Sequence, residues 1–336
     1  MNATPAISID FPRLLQDFFL RWLVAQRGAS RHTVASYRDT FELFLRFAET
    51  RTGRSAANLT LVDLDAPVVL DFLDHMERDR GISVRTRNVR LTAIRSFARY
   101  AASRDPASLP VLQRLLAIPA KRCDRPVLGY LSREEIQAVL DAPDPCTWSG
   151  RRDIVLLNTL YNTGARVSEV TAARVADVLL DRQPSLLLHG KGRKERLAPL
   201  WPRTTKLLRD WLAFIRGRPE DPVFPNRQGK PLHRSGVRQR LDDAVRVAAR
   251  RCPSLDRKHV SPHSVRHTTA MHLLQAGVDL TVIALILGHE DVATTHRYLE
   301  SDLAMKQAAL QRVQSPCSRI PRFRASNRVL AFLDQL

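Results

Sequence analysis

The sequence predicts a mainly α protein: an N-terminal four-helix bundle, then a mostly helical second domain with one small antiparallel β-sheet. Three observations lead there. Apolar residues recur at spacings of three and four through most of the chain, the period of amphipathic helices. Only Ser185 to Leu200 reads instead as two short strands about a glycine-bearing turn. A stretch carrying Pro106, Pro110, Pro119 and Pro126 separates the two regions and reads as a linker. The length of 336 residues and 44% apolar content suit two domains with their own cores.

In the first domain, residues 1–105, Leu14, Leu15, Phe18, Phe19, Trp22 and Leu23 mark a helix from Phe11 to Gln26, closed by Gly28. Ser30 caps a second helix with Val34, Tyr37, Phe41, Phe44, Leu45 and Ala48 on one side, and Gly53 ends it. A third starts near Asp65-Ala66-Pro67, where proline fits the first turn, and runs through Leu70, Phe72, Leu73 and Met76. The fourth spans about Val84 to Ser103. From Arg80 to Arg104 there are seven arginines and no acid. Leu91, Ile94, Phe97, Ala98 and Ala101 form its apolar back, and Arg85, Thr92, Arg95, Ser96 and Arg99 its polar front. Such a front suits phosphate and base contacts in a DNA groove.

The net charge of +19 and pI near 10.9 agree, since a field of that size gathers polyanions. Lysine occurs only seven times, so the charge is mainly arginine, whose fork grips phosphate at two points. In the linker, 106–130, Lys121 and Arg122 can cross a phosphate backbone, and Val111 to Ala117 reads as a short helix.

The second domain, 131–313, opens with Ser132 and Glu135 spaced as a capping box before Ile136, Val139 and Leu140. Helices follow over about Arg151–Asn162 and from Ser168, then the hairpin with its turn Gly190-Lys191-Gly192-Arg193-Lys194, then helices over about Arg203–Arg216, Ser235–Arg250, Pro262–Ala276, Leu280–Leu287 and Val292–Leu299. A tail, 314–336, carries Arg319, Arg322, Arg324 and Arg328 before Leu330 and Leu333, a composition suited to docking on a neighbouring subunit, a partner protein or DNA.

Cys123, Cys146, Cys252 and Cys317 are widely separated, with no metal-ligand spacing, and read as free thiols. No apolar run reaches the roughly 18 residues of a membrane span and no leader pattern opens the sequence. The expectation is a cytoplasmic protein without membrane contact.

Six of the ten histidines fall between His259 and His296, where the acids are only Asp279, Glu290 and Asp291. A metal site would normally add a well-placed carboxylate or thiolate, so no metal is assigned. Imidazoles, arginines and a phenol suit an anion attacked by a hydroxyl. Transfer at a phosphodiester needs positive groups on the non-bridging oxygens, an in-line nucleophile and a proton for the leaving oxygen. Arg166 and Arg266 suit the clamp, His289 a donor, and Lys191, on a turn freed by its glycine flanks, the acid. Lys194 is an alternative acid. His259 and His272 read as structural or solvent-facing, and His296 has no assigned role.

Arg166 within Thr163-Gly164-Ala165-Arg166-Val167-Ser168-Glu169, the Gly190-Lys191-Gly192 turn, His263-x-x-Arg266-His267, Leu287-Gly288-His289 and Tyr298 nine residues on resemble, in type and order, the tyrosine recombinase or phage integrase family. The resemblance covers roughly Phe11 to Val313. It implies a SAM-like core-binding domain followed by a catalytic domain, and no cofactor. It implies that Tyr298 attacks the scissile phosphate to give a 3′-phosphotyrosyl intermediate, that Arg166, Arg266 and His289 stabilise the charged phosphate, that His263 assists and Lys191 protonates the leaving 5′ oxygen. Arg85, Arg95, Arg99, Lys121, Arg122, Arg193 and Lys194 are the candidate DNA contacts. The implied partner is duplex DNA carrying specific sites, bound by a homo- or hetero-tetramer, with a mobile element as the expected setting. A DNA-binding regulator without catalysis and a type IB topoisomerase are the competing readings.

Overall fold

The computed structural model describes residues 10–123, 129–190 and 194–288. It divides into two compact units, Met1–Arg125 and Pro126–Leu336. In the first, α1 (Phe11–Asp17) continues as a π-wound segment, Phe18–Gln26, followed by α2 (Arg31–Thr52), α3 (Ala66–Arg78), α4 (Val84–Ala102) and α5 (Leu109–Ala117). Ser30 and Ser83 cap α2 and α4 by accepting from Thr33 N and Thr86 N, each at 3.2 Å. Gly53 closes α2 in the left-handed region at φ 69°. Phe18 is fully buried at the centre of this core. Its ring meets Phe19, Trp22, Tyr37, Phe41, Phe97 and Tyr100, so the first helix is held by aromatic rings of α2 and α4, Tyr37 stacked and Phe41 and Phe97 edge-on.

Two expectations change here. The stretch from residue 106 is no simple linker: α5 buries Leu112 and Leu115, with Ile118 just beyond, in the first unit's core. Pro110 falls in the first turn of α5, where proline breaks no helical hydrogen bond. The polar front of α4 is also narrower than its sequence suggests. Ser96 is buried, and Arg95 turns sideways to donate to the carbonyls of Leu116 (2.9 Å) and Ile118, closing the C-terminal end of α5. Arg85, Thr92 and Arg99 stay exposed, seven residues apart and thus on one stripe. Leu70, counted with the apolar face of α3, is 40% exposed.

The second unit contains α6 (Arg133–Leu140), α7 (Trp148–Thr163), α8 (Val167–Ala172), β1 (Val178–Leu179), β2 (Ser185–His189), β3 (Glu195–Pro199), α9 (Pro202–Ile215), α10 (Arg234–Ala249), α11 (Pro262–Gln275) and α12 (Leu280–Leu287). The capping box of α6 forms: Glu135 N donates to Ser132 Oγ at 3.1 Å and Ser132 N to Glu135 Oε2 at 2.7 Å. The three strands are antiparallel in the order β1-β2-β3, with Leu186 opposite both Val178 and Ala198. Two residues of β1 are too short to carry a period, which is why only the hairpin was legible. Leu186, Leu188 and Ala198 fill the sheet's inner face, and Arg196, opposite Leu188, shares that face. Helix α7 runs through the middle of the unit, packed on α9 and α11. The expected helix Val292–Leu299 and the tail 314–336 lie outside the described residues.

Replacing Phe18 by Ala removes the ring on which the first core closes and should cost about 3–5 kcal/mol. Hydrogen-exchange mass spectrometry of the full chain should show protection lost in α2 and α4 and kept in α7; equal protection throughout would refute this.

Candidate active site

Helix α7 ends at Gly164, which sits at φ 56°, and a Cβ there would lie 2.3 Å from Leu287 Cδ2. Glycine is required twice over, by conformation and by the approach of α12. The chain then turns into α8, and Arg166 occupies its N-cap position. Glu169, one turn on, accepts from the Arg166 backbone N–H (Oε2, 2.8 Å) and from Arg166 Nη1 (Oε1, 2.8 Å). Its second oxygen also accepts from Arg196 Nη2 at 2.8 Å. The Glu169 side chain is 2% exposed, whereas that of Arg166 is 41% exposed. Burial alone would push the Glu169 carboxyl up. The hydrogen bond and charge of Arg196, with the hydrogen bonds from the Arg166 amide and guanidinium, outweigh burial and hold it below the usual carboxylate range.

Helix α11 starts at Pro262 behind the cap Ser261, whose Oγ accepts from Ser264 N at 3.1 Å. The i, i+3 spacing puts His263 and Arg266 on one side. His263 is exposed in the first turn, while Arg266 is buried, donating to Gly164 O at 2.6 Å and to Leu287 O at 2.8 Å. The ends of α7 and α12 therefore meet on one guanidinium. Arg166 Nη2 donates to Gly288 O at 3.3 Å and Arg196 Nε to Ile286 O at 3.0 Å. Three consecutive carbonyls at the end of α12 thus accept from three arginines. Among the described residues, three guanidiniums against the one carboxylate of Glu169 leave a local excess of two positive charges, suited to a phosphate.

The hairpin joins the same cluster. Gly190 N donates to Lys194 O at 2.7 Å, and a Cβ on Gly190 would lie 3.5 Å from Glu169 Oε1, so the base of the turn rests against that carboxylate. His189, just before it, bridges Asp177 (Nε2, 3.2 Å) and Glu195 (Nδ1, 2.9 Å); the Asp177 hydrogen bond, aided by Glu195, raises the imidazole above its usual range. Lys194 is exposed.

Of the six candidates, the structure brings Arg166 and Arg266 to the end of α12, with His263 on the helix that carries Arg266. Lys191, His289 and Tyr298, and the candidate contact Arg193, lie outside the described residues. His272 is buried, its Nδ1 2.7 Å from Tyr161 Oη, and burial lowers its proton affinity; His259 is exposed. In the first unit Arg85, Arg99 and Arg122 are exposed, and Lys121 pairs with Glu77 at 2.6 Å.

The profile of the Phage integrase family matches residues 129–305, and that of the phage integrase N-terminal SAM-like domain matches residues 17–105. The chain belongs to the phage integrase family of tyrosine recombinases. It is 47% identical to the y4rC protein of Sinorhizobium fredii, over 96% of this chain and 97% of that one. It is 34% identical to the tyrosine recombinase XerD of Pseudomonas putida, over 87% and 93% respectively. Among solved structures it resembles the XerH site-specific recombinase bound to a palindromic difH substrate (TM-score 0.63, 20% identity, 85% of this chain and 81% of that one). It also resembles a lambda integrase tetramer bound to a Holliday junction (TM-score 0.62, 14% identity, 87% and 78%). The family makes this chain a site-specific recombination enzyme with the SAM-like and catalytic domains of an integrase.

Glu169 and Arg196 were not singled out from this integrase's sequence. Glu169 stands in the quoted Arg166 segment, where a helix's third position normally holds an acid for its own cap. Arg196 had a clearer signal: in the hairpin's register it falls on the inward face, opposite Leu188 and two residues before the buried Ala198, where a charge demands a partner.

Because the Glu169 carboxyl is held low, its contribution to stability is present above the unfolded value of about 4.3 and is lost as pH falls through the folded value. Glu169→Gln should therefore lower the urea midpoint at pH 7, by the equivalent of about 1–3 kcal/mol, and the gap from the unchanged chain should narrow at pH 3.5. A gap that widens on acidification would contradict the ion-pair account.

Proposed function

We propose that this integrase cleaves and rejoins duplex DNA at specific sites through a 3′-phosphotyrosyl intermediate, with Tyr298 as nucleophile. The observation that carries the reading is the convergence of Arg166 and Arg266 on the end of α12, immediately before His289, with an excess of positive charge and the base of the lysine turn beside them. Tyrosine ionises near pH 10, so the attacking phenol needs both a base and a positive field. Tyr298 Oη forms a bond to phosphorus as the bond to O5′ breaks. His263 takes the phenolic proton, Lys191 gives one to O5′, and Arg166, Arg266 and His289 hold the non-bridging oxygens. The reverse attack by a 5′-hydroxyl restores the diester without an external energy source.

The first unit supplies the second half of the DNA grip in this reading. Arg85 and Arg99 lie on one exposed stripe of α4, about 21 Å apart along its axis, and Arg122 is exposed beyond α5. Their role is phosphate contact, and Lys121, Arg193 and Lys194 belong to the same proposed set. Arg95 is assigned to holding α5 instead. The reacting assembly is proposed to be a tetramer on two sites, within a mobile element.

The test uses nicked suicide duplexes drawn from the DNA flanking the gene. The unchanged chain should trap a covalent adduct resistant to denaturant; Tyr298→Phe should trap none and bind the same duplex within about threefold. An adduct that persists in Tyr298→Phe would sink the assignment. Relaxation of a supercoiled plasmid lacking any such site, without recombination, would point to a topoisomerase.

A further inference from the structure

Arg196 stands outside the six residues of the proposed reaction, yet the cluster is built across it. Its side chain is 14% exposed and spans two acceptors on different elements, Glu169 Oε2 at 2.8 Å and Ile286 O at 3.0 Å. The next two carbonyls, of Leu287 and Gly288, take Arg266 and Arg166. The last carbonyls of a helix have no intrahelical donor and carry the negative end of its dipole, so three cations there satisfy both needs. Gly288 is at φ 66°, and a Cβ on it would lie 3.0 Å from Arg196 Nη1 and 3.1 Å from Cδ and Cζ. The glycine before His289 is thus the surface against which the Arg196 guanidinium packs.

We infer that Arg196 is a positioning residue for DNA cleavage, which neutralises Glu169 and locks Arg166 to the C-terminal end of α12 so that the Arg166 charge stays available to the scissile phosphate. This rests on the strand-cleaving reading of the site. The argument is one of charge and reach. With Arg196 present, the buried carboxylate is shared between two guanidiniums and the cluster keeps its excess of two. Without it, Glu169 has Arg166 as its remaining guanidinium partner, the two close into a neutral pair, and the excess falls to one. At the same time Ile286 O loses a donor, and the turn leading to His289 loses its tie to β3. Lysine has one donor centre, against the two separate nitrogens that Arg196 uses, and cannot hold the carboxylate and the carbonyl in the same geometry.

The experiment compares the unchanged chain, Arg196→Gln and Arg196→Lys on two nicked duplexes from the flanking DNA, one with a normal scissile phosphate and one with a methylphosphonate there. The methylphosphonate lacks the charge that the clamp must hold. Covalent-adduct formation is followed in single turnover at saturating protein, with thermal melting of each variant alongside. Loss of positioning should slow Arg196→Gln about 10- to 100-fold on the normal phosphate, with a clearly smaller loss on the methylphosphonate. Arg196→Lys should show the same ratio to a lesser degree, and it carries the test if the glutamine variant does not fold. A purely structural role lowers the folded fraction and slows both substrates by one factor, and that result overturns the proposal. Equal rates for all three proteins on the normal phosphate overturn it as well. Failure of the unchanged chain to trap either duplex overturns the strand-cleaving reading itself, and this role with it.

Discussion

The C-terminal end of α12 is where the second unit commits itself. Its last three carbonyls accept from guanidiniums based on β3, α11 and α8, so a sheet, a helix and a helix start are fixed to one turn of backbone. Carbonyls left open there and away from water would each cost roughly a lost hydrogen bond, about 1–3 kcal/mol. The three arginines would in turn be uncompensated inside a protein. Each side makes the other tolerable, and neither would be stable in a partly formed site. The geometry that suits phosphate is therefore also the geometry that lets this region fold.

Glu169 explains why three cations can sit so close. A lone buried carboxylate would protonate, and three bare guanidiniums would repel; one carboxylate shared between Arg166 and Arg196 is low in proton affinity and leaves the set positive. Arg166, the member proposed to face the phosphate, is also the most exposed of the cluster, with 41% of its side chain open while Glu169 is closed in behind it. Gly164 and Gly288 let the two helix ends approach to that distance. Both are left-handed, and at both a side chain would collide with the opposing element, Leu287 in one case and Arg196 in the other.

Much of this was legible in the amino-acid order because it is local. Helix period, the Ser30 and Ser132 caps, and the glycine of the hairpin are set within a few residues, and they gave the helices and β2-β3 nearly to the residue. The segment Ala165-Arg166 and the His263 to His267 run stood out in the sequence because their residue types in that order suit a phosphate, and the structure brings Arg166 and Arg266 to one helix end. What local order could not supply was partnership across the chain. Arg95 reads as a groove contact until α5 is seen to end beside it, and residues 106–118 read as linker until Leu112 and Leu115 are seen in the core. Arg196 partners residues 27 and 90 positions away, a separation that no period reveals.

The same reasoning bears on how the charge of the whole chain divides its labour. Arginines that meet internal acceptors, such as Arg95, Arg152 on Asp153 and Pro225 O, and Arg196, hold elements together. Those on open stripes, such as Arg85 and Arg99, set the external field. The net +19 already subtracts every acid, so ion pairs such as Arg152 on Asp153 do not lower it; what a polyanion meets depends on where the excess lies, on open stripes or enclosed inside the units. Salt should then weaken the open stripes first, since surface charges are screened within about 10 Å at 0.1 M, while the shielded cluster at the end of α12 keeps its strength. In the proposed reading capture and chemistry separate along that line: open stripes such as Arg85 and Arg99 would hold the DNA, and the cluster at the end of α12 would act on a phosphate once it is there.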